Sequence, residues 1–189
     1  MSAKFDPKKH HRPFDPAQGR RSIRLKGYDY TQSGANYVTI VAYQRGHFFG
    51  EVLNAEMRLN ELGQIARNEW FKTAALRPYV ELYEDEFIVM PNHVHGIIWI
   101  YDDGNVGAER RSAPTKTNLP PKSLGVIVRA YKSAVTYAVN GLQNQRGAIL
   151  WQRNYYEQII RDEKDLQAKR ECILGNPLNW ENDDENLNW

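Results

Sequence analysis

The sequence predicts an α+β fold: one antiparallel sheet with helices packed on one face. Three observations predict it. Segments rich in β-branched and aromatic residues (37–43, 79–90 and 93–101) are separated by segments whose apolar residues recur at helical spacing. The order strand, helix, hairpin, helix, helix suits an antiparallel sheet rather than a wound parallel one. The chain has 189 residues, 41% hydrophobic and 25% charged, so it has globular composition and enough length to bury one core.

The elements follow in order. Residues 37–43, Tyr-Val-Thr-Ile-Val-Ala-Tyr, read as a first strand. A helix is predicted from Asn54 to about Ala74, with Leu62, Ile65, Ala66 and Trp70 on one stripe and Pro78 barring continuation. Residues 79–90 form a second strand interrupted by Glu84, Asp85 and Glu86. Pro91-Asn92 then turns the chain into a third strand, His93–Tyr101. Residues 102–122 hold Gly104, Gly107, Pro114, Pro120 and Pro121 together with Arg110, Arg111, Lys116 and Lys122, the composition of a basic loop. Ser123 is placed to cap a helix running to Asn140-Gly141, its buried stripe being Leu124, Ile127, Tyr131, Ala134 and Ala138. Residues 149–151 suit a short edge strand. Asp162 is the expected N-cap of a last helix that Pro177 stops.

Charge divides the chain into three parts. Residues 1–26 carry eight basic side chains against Asp6 and Asp15, which marks a basic, flexible arm. Residues 27–180 form a single domain, and residues 181–189, with four acids and no base, form an acidic tail. The net charge is only +2, so overall charge does not by itself announce a nucleic-acid partner. The single cysteine excludes an intrachain disulfide and a multi-cysteine zinc site. No apolar run approaches a membrane span and no signal-peptide core is present, so a cytoplasmic protein without a membrane partner is expected.

Two places carry chemistry. His93-Val94-His95 opens a very apolar strand, and residues two apart in a strand project from the same face, so both imidazoles can converge on one ion. Buried imidazoles need polar partners, and a divalent cation is one way to supply them. On the last helix Ala168, Cys172 and Asn176 share a face at four-residue spacing. The Asn176 amide oxygen can complete a two-histidine site, or Asn176 can simply end the helix before Pro177.

Four segments in order, residues 22–30 (Ser-Ile-Arg-Leu-Lys-Gly-Tyr-Asp-Tyr), 90–98 (Met-Pro-Asn-His-Val-His-Gly-Ile-Ile), 151–162 and 176–180 (Asn-Pro-Leu-Asn-Trp), resemble the REP-associated tyrosine transposases. These are domesticated relatives of the single-tyrosine HUH transposases that act on single-stranded DNA. The resemblance implies a ferredoxin-like (RRM-like) fold with both histidines on a central strand. It implies His93, His95 and Asn176 as ligands of Mg2+ or Mn2+, and a tyrosine nucleophile one helical turn before the amide. It also implies metal-assisted transesterification on hairpin-tailed single-stranded DNA. In that reaction the ion polarises a phosphoryl oxygen, and a 5′-phosphotyrosine link conserves the phosphodiester energy.

The sequence departs from that pattern at the nucleophile, because position 172 is a cysteine. Its sulfur reaches roughly 3–4 Å less far from the backbone than a phenolic oxygen. Three readings follow: strand cleavage is lost while metal and DNA binding remain; another tyrosine substitutes, with Tyr155 and Tyr156 before the last helix and Tyr131 and Tyr137 on the previous one; or Cys172 itself attacks. Phosphate contacts are expected from Arg20, Arg21, Arg24 and Lys26 in the arm, Arg110 and Arg111 in the loop, Arg129 and Lys132 on a helix face, and Arg153 near the metal site. Tyr28, Tyr30 and Tyr37 are candidates for stacking on unpaired bases. The protein is expected to act as a monomer or homodimer. A nuclease-inactive DNA-binding regulator on the same fold, and an RNA-binding module, are the competing functions. The RNA-binding reading lacks the aromatic strand motif usual for that class.

Overall fold

The computed structural model describes residues 32–101, 122–145 and 147–186. The basic arm, with Arg20, Arg21, Arg24 and Lys26, and the loop bearing Arg110 and Arg111 lie outside the described residues.

Two central strands organise the sheet. β1 (Gly34–Val41) and β6 (His93–Ile100) are each eight residues long and buried almost throughout, as strands covered on both faces must be. They pair antiparallel from Gly34↔Ile100 to Val41↔His93, so His95 lies opposite Thr39 and His93 opposite Val41. β4 (Val80–Glu81) and β5 (Phe87–Val89) both pair with the outer side of β6, flanking a 3-10 turn at Glu84–Glu86. β7 (Tyr156–Ile159) pairs with β1, giving the order β4-β6-β1-β7 with β5 also on β6. The expected antiparallel α+β architecture is what forms.

α1 (Glu61–Leu76) and α2 (Leu124–Leu142) cover one face. They enclose the main core, in which Trp70 stacks on Phe87 at 4.5 Å and meets Tyr131 edge-on at 5.2 Å. Gly96 lies under this cluster; a Cβ there would sit 2.3 Å from Cζ2 of Trp70, so no larger residue fits beneath the indole. α3 (Glu163–Gly175) lies on the opposite face, where Leu166 and Ile173 meet Ala35, Tyr37 and Ile97. The expectation of helices on one face therefore holds for the two longer helices, and the short third one closes the other side. Asp162 caps α3 as expected, accepting from the Asp165 amide at 2.8 Å. Ser123 stands at the N-cap position of α2, but its buried hydroxyl makes no capping bond.

Two local expectations are corrected. Residues 54–60 are not helical. β2 (Gly50–Leu53) and β3 (Glu56–Leu59) form a separate hairpin closed by Asn54 and Ala55 at φ 52° and 62°, and the helix starts after Asn60, whose side chain accepts from the Gly63 amide. Good helix formers in 56–59 mask a period-two exposure pattern that pairs this segment with β2. The expected edge strand at 149–151 reduces to one bridge, Ala42↔Trp151, and the true edge strand is β7, which starts five residues further on. Among the described residues no helix is long and apolar enough to cross a membrane.

Candidate metal centre

Strand alternation places His93, His95, Ile97 and Trp99 on the α3 face of β6, while Val94, Gly96 and Ile98 face α1 and α2. Both histidines are buried, and their Nε2 atoms face each other at 2.9 Å. Two nitrogens bound at about 2.0–2.1 Å and about 90° apart, as in octahedral coordination, would be separated by about 3.0 Å. The spacing fits one shared cation.

Hydrogen bonds fix which nitrogens are available. The Asn92 Nδ2 donates to the carbonyl of Glu185 at 2.6 Å and of Arg45 at 3.4 Å. Carbonyls only accept, so the amide cannot be flipped, and its Oδ1 faces Nδ1 of His93 at 2.8 Å. His93 must therefore carry its proton on Nδ1, so that its Nε2 lone pair accepts from Nε2 of His95 or binds a cation. On His95, Nδ1 meets the hydroxyls of Tyr37 at 2.7 Å and Thr39 at 2.9 Å. Hydroxyls both donate and accept, so this ring can bring either nitrogen bare, including the Nε2 that a cation needs. This is the outer shell of hydrogen bonds that orients metal-bound imidazoles.

Asn176 ends α3 at the same end of the sheet. Its Nδ2 donates to Oδ2 of Asp183 at 3.2 Å, and that oxygen lies 4.0 Å from Nε2 of His93. A carboxylate only accepts, so the orientation of this amide is fixed too. Its Oδ1 is left buried without a hydrogen-bond partner, an arrangement that costs about 1–3 kcal/mol unless something binds it. The donor set of two imidazoles, an orphaned amide oxygen and a nearby carboxylate fits a divalent cation. The ligating atoms of His93, His95 and Asp183 all lie within 4.8 Å of one another.

Asp183 was not legible as a site residue, because it falls in what the charge pattern marks as an acidic tail. Residues 180–186 instead fold back beside the histidines. Trp180 lies 6.1 Å from the His93 ring, and Glu185 pairs with Arg45 at 2.8 Å. The same-face residues Tyr37 and Thr39 could have been picked out from strand period alone, once β1 and β6 were paired.

The nucleophile candidates separate clearly. Cys172 is exposed, and its Sγ lies 4.0 Å from the Tyr37 hydroxyl, on the Nδ1 side of His95. Tyr37 itself is buried in that position, and burial pushes its phenol well above its ordinary pKa, so it holds His95 and is not exposed as a stacking platform. The Lys169 ammonium sits 4.6 Å over the Tyr37 ring, and burial lowers its pKa. Tyr156 pairs with Thr39 and so shares the histidine face. Tyr155 does not, since it packs against the core on the α1–α2 face. Tyr131 is likewise enclosed there, donating to the Ala66 carbonyl, and Tyr137 points outward from α2.

Among the predicted phosphate contacts, Lys132 is corrected. Its Nζ bonds the carbonyls of Gln152, Arg153 and Asn154 at 2.5, 3.2 and 3.4 Å. Burial lowers its pKa to about 8. It anchors the connection into β7 instead of facing a ligand. Arg153 lies in that connection, exposed, where Gln152 still bonds the carbonyl of Val41 opposite His93. Arg129 is exposed on α2, the helix layer on the other face.

No protein-family model matches the chain. A Haemophilus influenzae (strain Rd) protein of uncharacterised function is 38% identical over 187 residues, spanning 97% of each chain. The chain is also similar to the solved structure of a REP-associated tyrosine transposase bound to a REP hairpin. That likeness has a TM-score of 0.54 and 21% identity, over 84% of this chain and 74% of that one.

Proposed function

The chain belongs to one family with this Haemophilus influenzae protein and has the fold of the REP-associated tyrosine transposase, and from that premise we propose that it is a transposase-like DNA-binding protein. Its target is single-stranded DNA bearing a hairpin, a reading supported by the structural neighbour's being bound to a REP hairpin. It acts in the cytoplasm, with Mg2+ or Mn2+ as its cation. The observation that carries the reading is the paired Nε2 atoms of His93 and His95, together with the buried oxygen of Asn176, an amide tied to Asp183, that is left without a hydrogen-bond partner.

Each residue has a definite task in this reading. When bound, the cation supplies Lewis-acid polarisation of a phosphoryl oxygen. His93 and His95 offer neutral nitrogens, Asn92 holds the Nδ1 proton of His93, and Tyr37 and Thr39 together hold that of His95. Asn176 adds a neutral oxygen and Asp183 a negative charge close by, which suits a hard cation better than imidazole alone. Arg153 lies at the histidine end of the sheet edge and contacts phosphate. The arm residues Arg20, Arg21, Arg24 and Lys26, with Arg110 and Arg111 of the loop, extend the contact along the backbone.

Strand cleavage is the step this chain has lost. Cys172 stands where the resemblance puts the attacking tyrosine, and its sulfur falls short by roughly 3–4 Å. Among the described residues, the phenol of Tyr37 is bonded to His95 and buried behind it. Binding is retained while covalent attack is not.

The test is a denaturing gel of the protein with labelled hairpin-tailed single-stranded DNA and Mn2+, run beside Cys172→Tyr. A covalent band is expected only with the tyrosine variant, and DNA retardation in a native gel with both. A covalent band from the unaltered protein would overturn the loss of cleavage. Absence of retardation with either would overturn DNA binding.

A further inference from the structure

α3 carries both Asn176 and Cys172, yet apolar contact holds it lightly. Of its thirteen residues only Leu166 and Ile173 are buried. Two side chains on one stripe press the helix onto the sheet, but apolar contact has no direction and resists sliding along the axis poorly. A slip of about 1 Å is enough to spoil a reactive geometry.

The directional contact lies at Glu86, in the 3-10 turn before β5. This carboxylate is fully buried. Its Oε1 accepts from Nη2 and Nε of Arg170 at 2.6 and 2.9 Å, and its Oε2 accepts from Nε1 of Trp99 at 2.6 Å. A two-nitrogen guanidinium grip fixes both distance and orientation, which a single apolar contact cannot do. Arg170 lies six residues before Asn176 on α3, and Ile88, two residues after Glu86, sits opposite His95 in the β5–β6 pair. Trp99 is on the histidine strand itself. The same carboxylate thus ties α3 to the strands that hold the imidazoles.

We propose that Glu86 is a positioning residue for the metal centre, setting the axial register of α3 so that the amide oxygen of Asn176 meets the cation held by His93 and His95. The inference rests on the metal-centre reading above. Glu86 touches neither cation nor DNA and acts through Arg170. Its effect is confined to the oxygen side of the site, because the histidines are set by β6 and their own hydrogen bonds.

Calorimetric titration with Mn2+ tests it on the full chain, comparing wild type, Glu86→Gln, Asn176→Ala and the double variant. Glutamine keeps the size of Glu86 and an acceptor for Trp99 but weakens the grip on Arg170. Glu86→Gln is expected to weaken Mn2+ binding about tenfold or more. It should add little on top of Asn176→Ala, because both remove the same ligand. With Co2+ as probe, the two single variants are expected to share one altered visible spectrum.

Unchanged Mn2+ affinity in folded Glu86→Gln, or losses that add fully in the double variant, would overturn the proposal. If Glu86→Gln does not fold, Arg170→Lys, which keeps the charge and loses the two-nitrogen grip, replaces it in the same cycle. His93→Ala separates the two levels. If wild type and His93→Ala give the same heat, the metal-centre reading fails and this proposal with it. If His93→Ala and Asn176→Ala lose binding while Glu86→Gln keeps it, only the role of Glu86 fails.

Discussion

Replacing Asn92 with alanine tests the logic of the site most directly, because this residue touches no cation yet decides which nitrogen of His93 is bare. The substitution removes the acceptor at 2.8 Å from Nδ1 and both donations from Nδ2, to Glu185 at 2.6 Å and Arg45 at 3.4 Å. His93 is then free to carry its proton on either nitrogen. Loss of such an outer partner weakens metal binding by about 10–100-fold, or about 1.4–2.7 kcal/mol. Stability falls as well, by about 2–6 kcal/mol, because the buried Nδ1–H of His93 and the carbonyl of Glu185 each lose a partner at about 1–3 kcal/mol. Mn2+ calorimetry and urea unfolding measure the two effects separately. Asn92→Asp is the informative companion. It restores an acceptor for Nδ1 but turns a carboxylate oxygen toward the two carbonyls, so it is expected to remain destabilised while recovering Mn2+ affinity. If Ala and Asp variants lose affinity equally, turn geometry rather than the hydrogen bond to His93 governs the site, and the tautomer argument is wrong.

Two further outcomes follow from packing and burial. Gly96→Ala drives a methyl group into the Trp70 indole, 2.3 Å away, and is expected to destabilise by about 1–3 kcal/mol in chemical unfolding, with the histidine pair displaced alongside. Lys132 binds its proton less tightly folded, at about 8, than unfolded, at its ordinary 10.5. Between those values the unfolded chain holds more protons, so its contribution to stability rises with pH across that window and is lost as pH falls through about 8. Unfolding of wild type against Lys132→Met from pH 7 to pH 10 reads this, and parallel pH dependences would refute it.

The parts of the fold that the sequence announces are those governed by strong local pattern. The apolar runs of β1 and β6, the Pro-Asn turn and the Asp162 cap are all readable without neighbours. The α2 stripe is readable only in its first half: Leu124, Ile127 and Tyr131 are buried as expected, but further along Val135 and Val139 take the buried positions expected for Ala134 and Ala138. The β2–β3 hairpin was hidden because Glu56, Met57, Arg58 and Leu59 favour a helix intrinsically, and only pairing across the Asn54-Ala55 turn overrides that preference. β7 was missed because an edge strand of four half-polar residues has no periodicity strong enough to stand out. At the site, His93, His95 and Asn176 came from spacing and resemblance. Asn92, Asp183 and Glu86 did not, because each acquires its role from a partner 47 to 93 positions away, or from a fold-back that composition does not disclose. A turn asparagine, a tail aspartate and one acid in an acidic triplet look ordinary in isolation. Lys132 shows the reverse case: a lysine on a helix reads as a free charge until its carbonyl partners are in place.

The fold-back of residues 180–186 also bears on how the protein is made. The pair β1–β6 joins segments more than fifty residues apart, and the Asn92 amide waits for the carbonyl of Glu185, 93 positions later. Such distant pairings are slow to form because chain closure must precede any reward from contact. During synthesis the sheet can assemble well before the last turn emerges, but Asn92 cannot lock the proton of His93 until residue 185 arrives. The metal centre is therefore a late product of folding, completed after its scaffold. A chain stopped at Trp180 would keep the sheet and both imidazoles yet lose the carbonyl clasp that fixes the tautomer of His93.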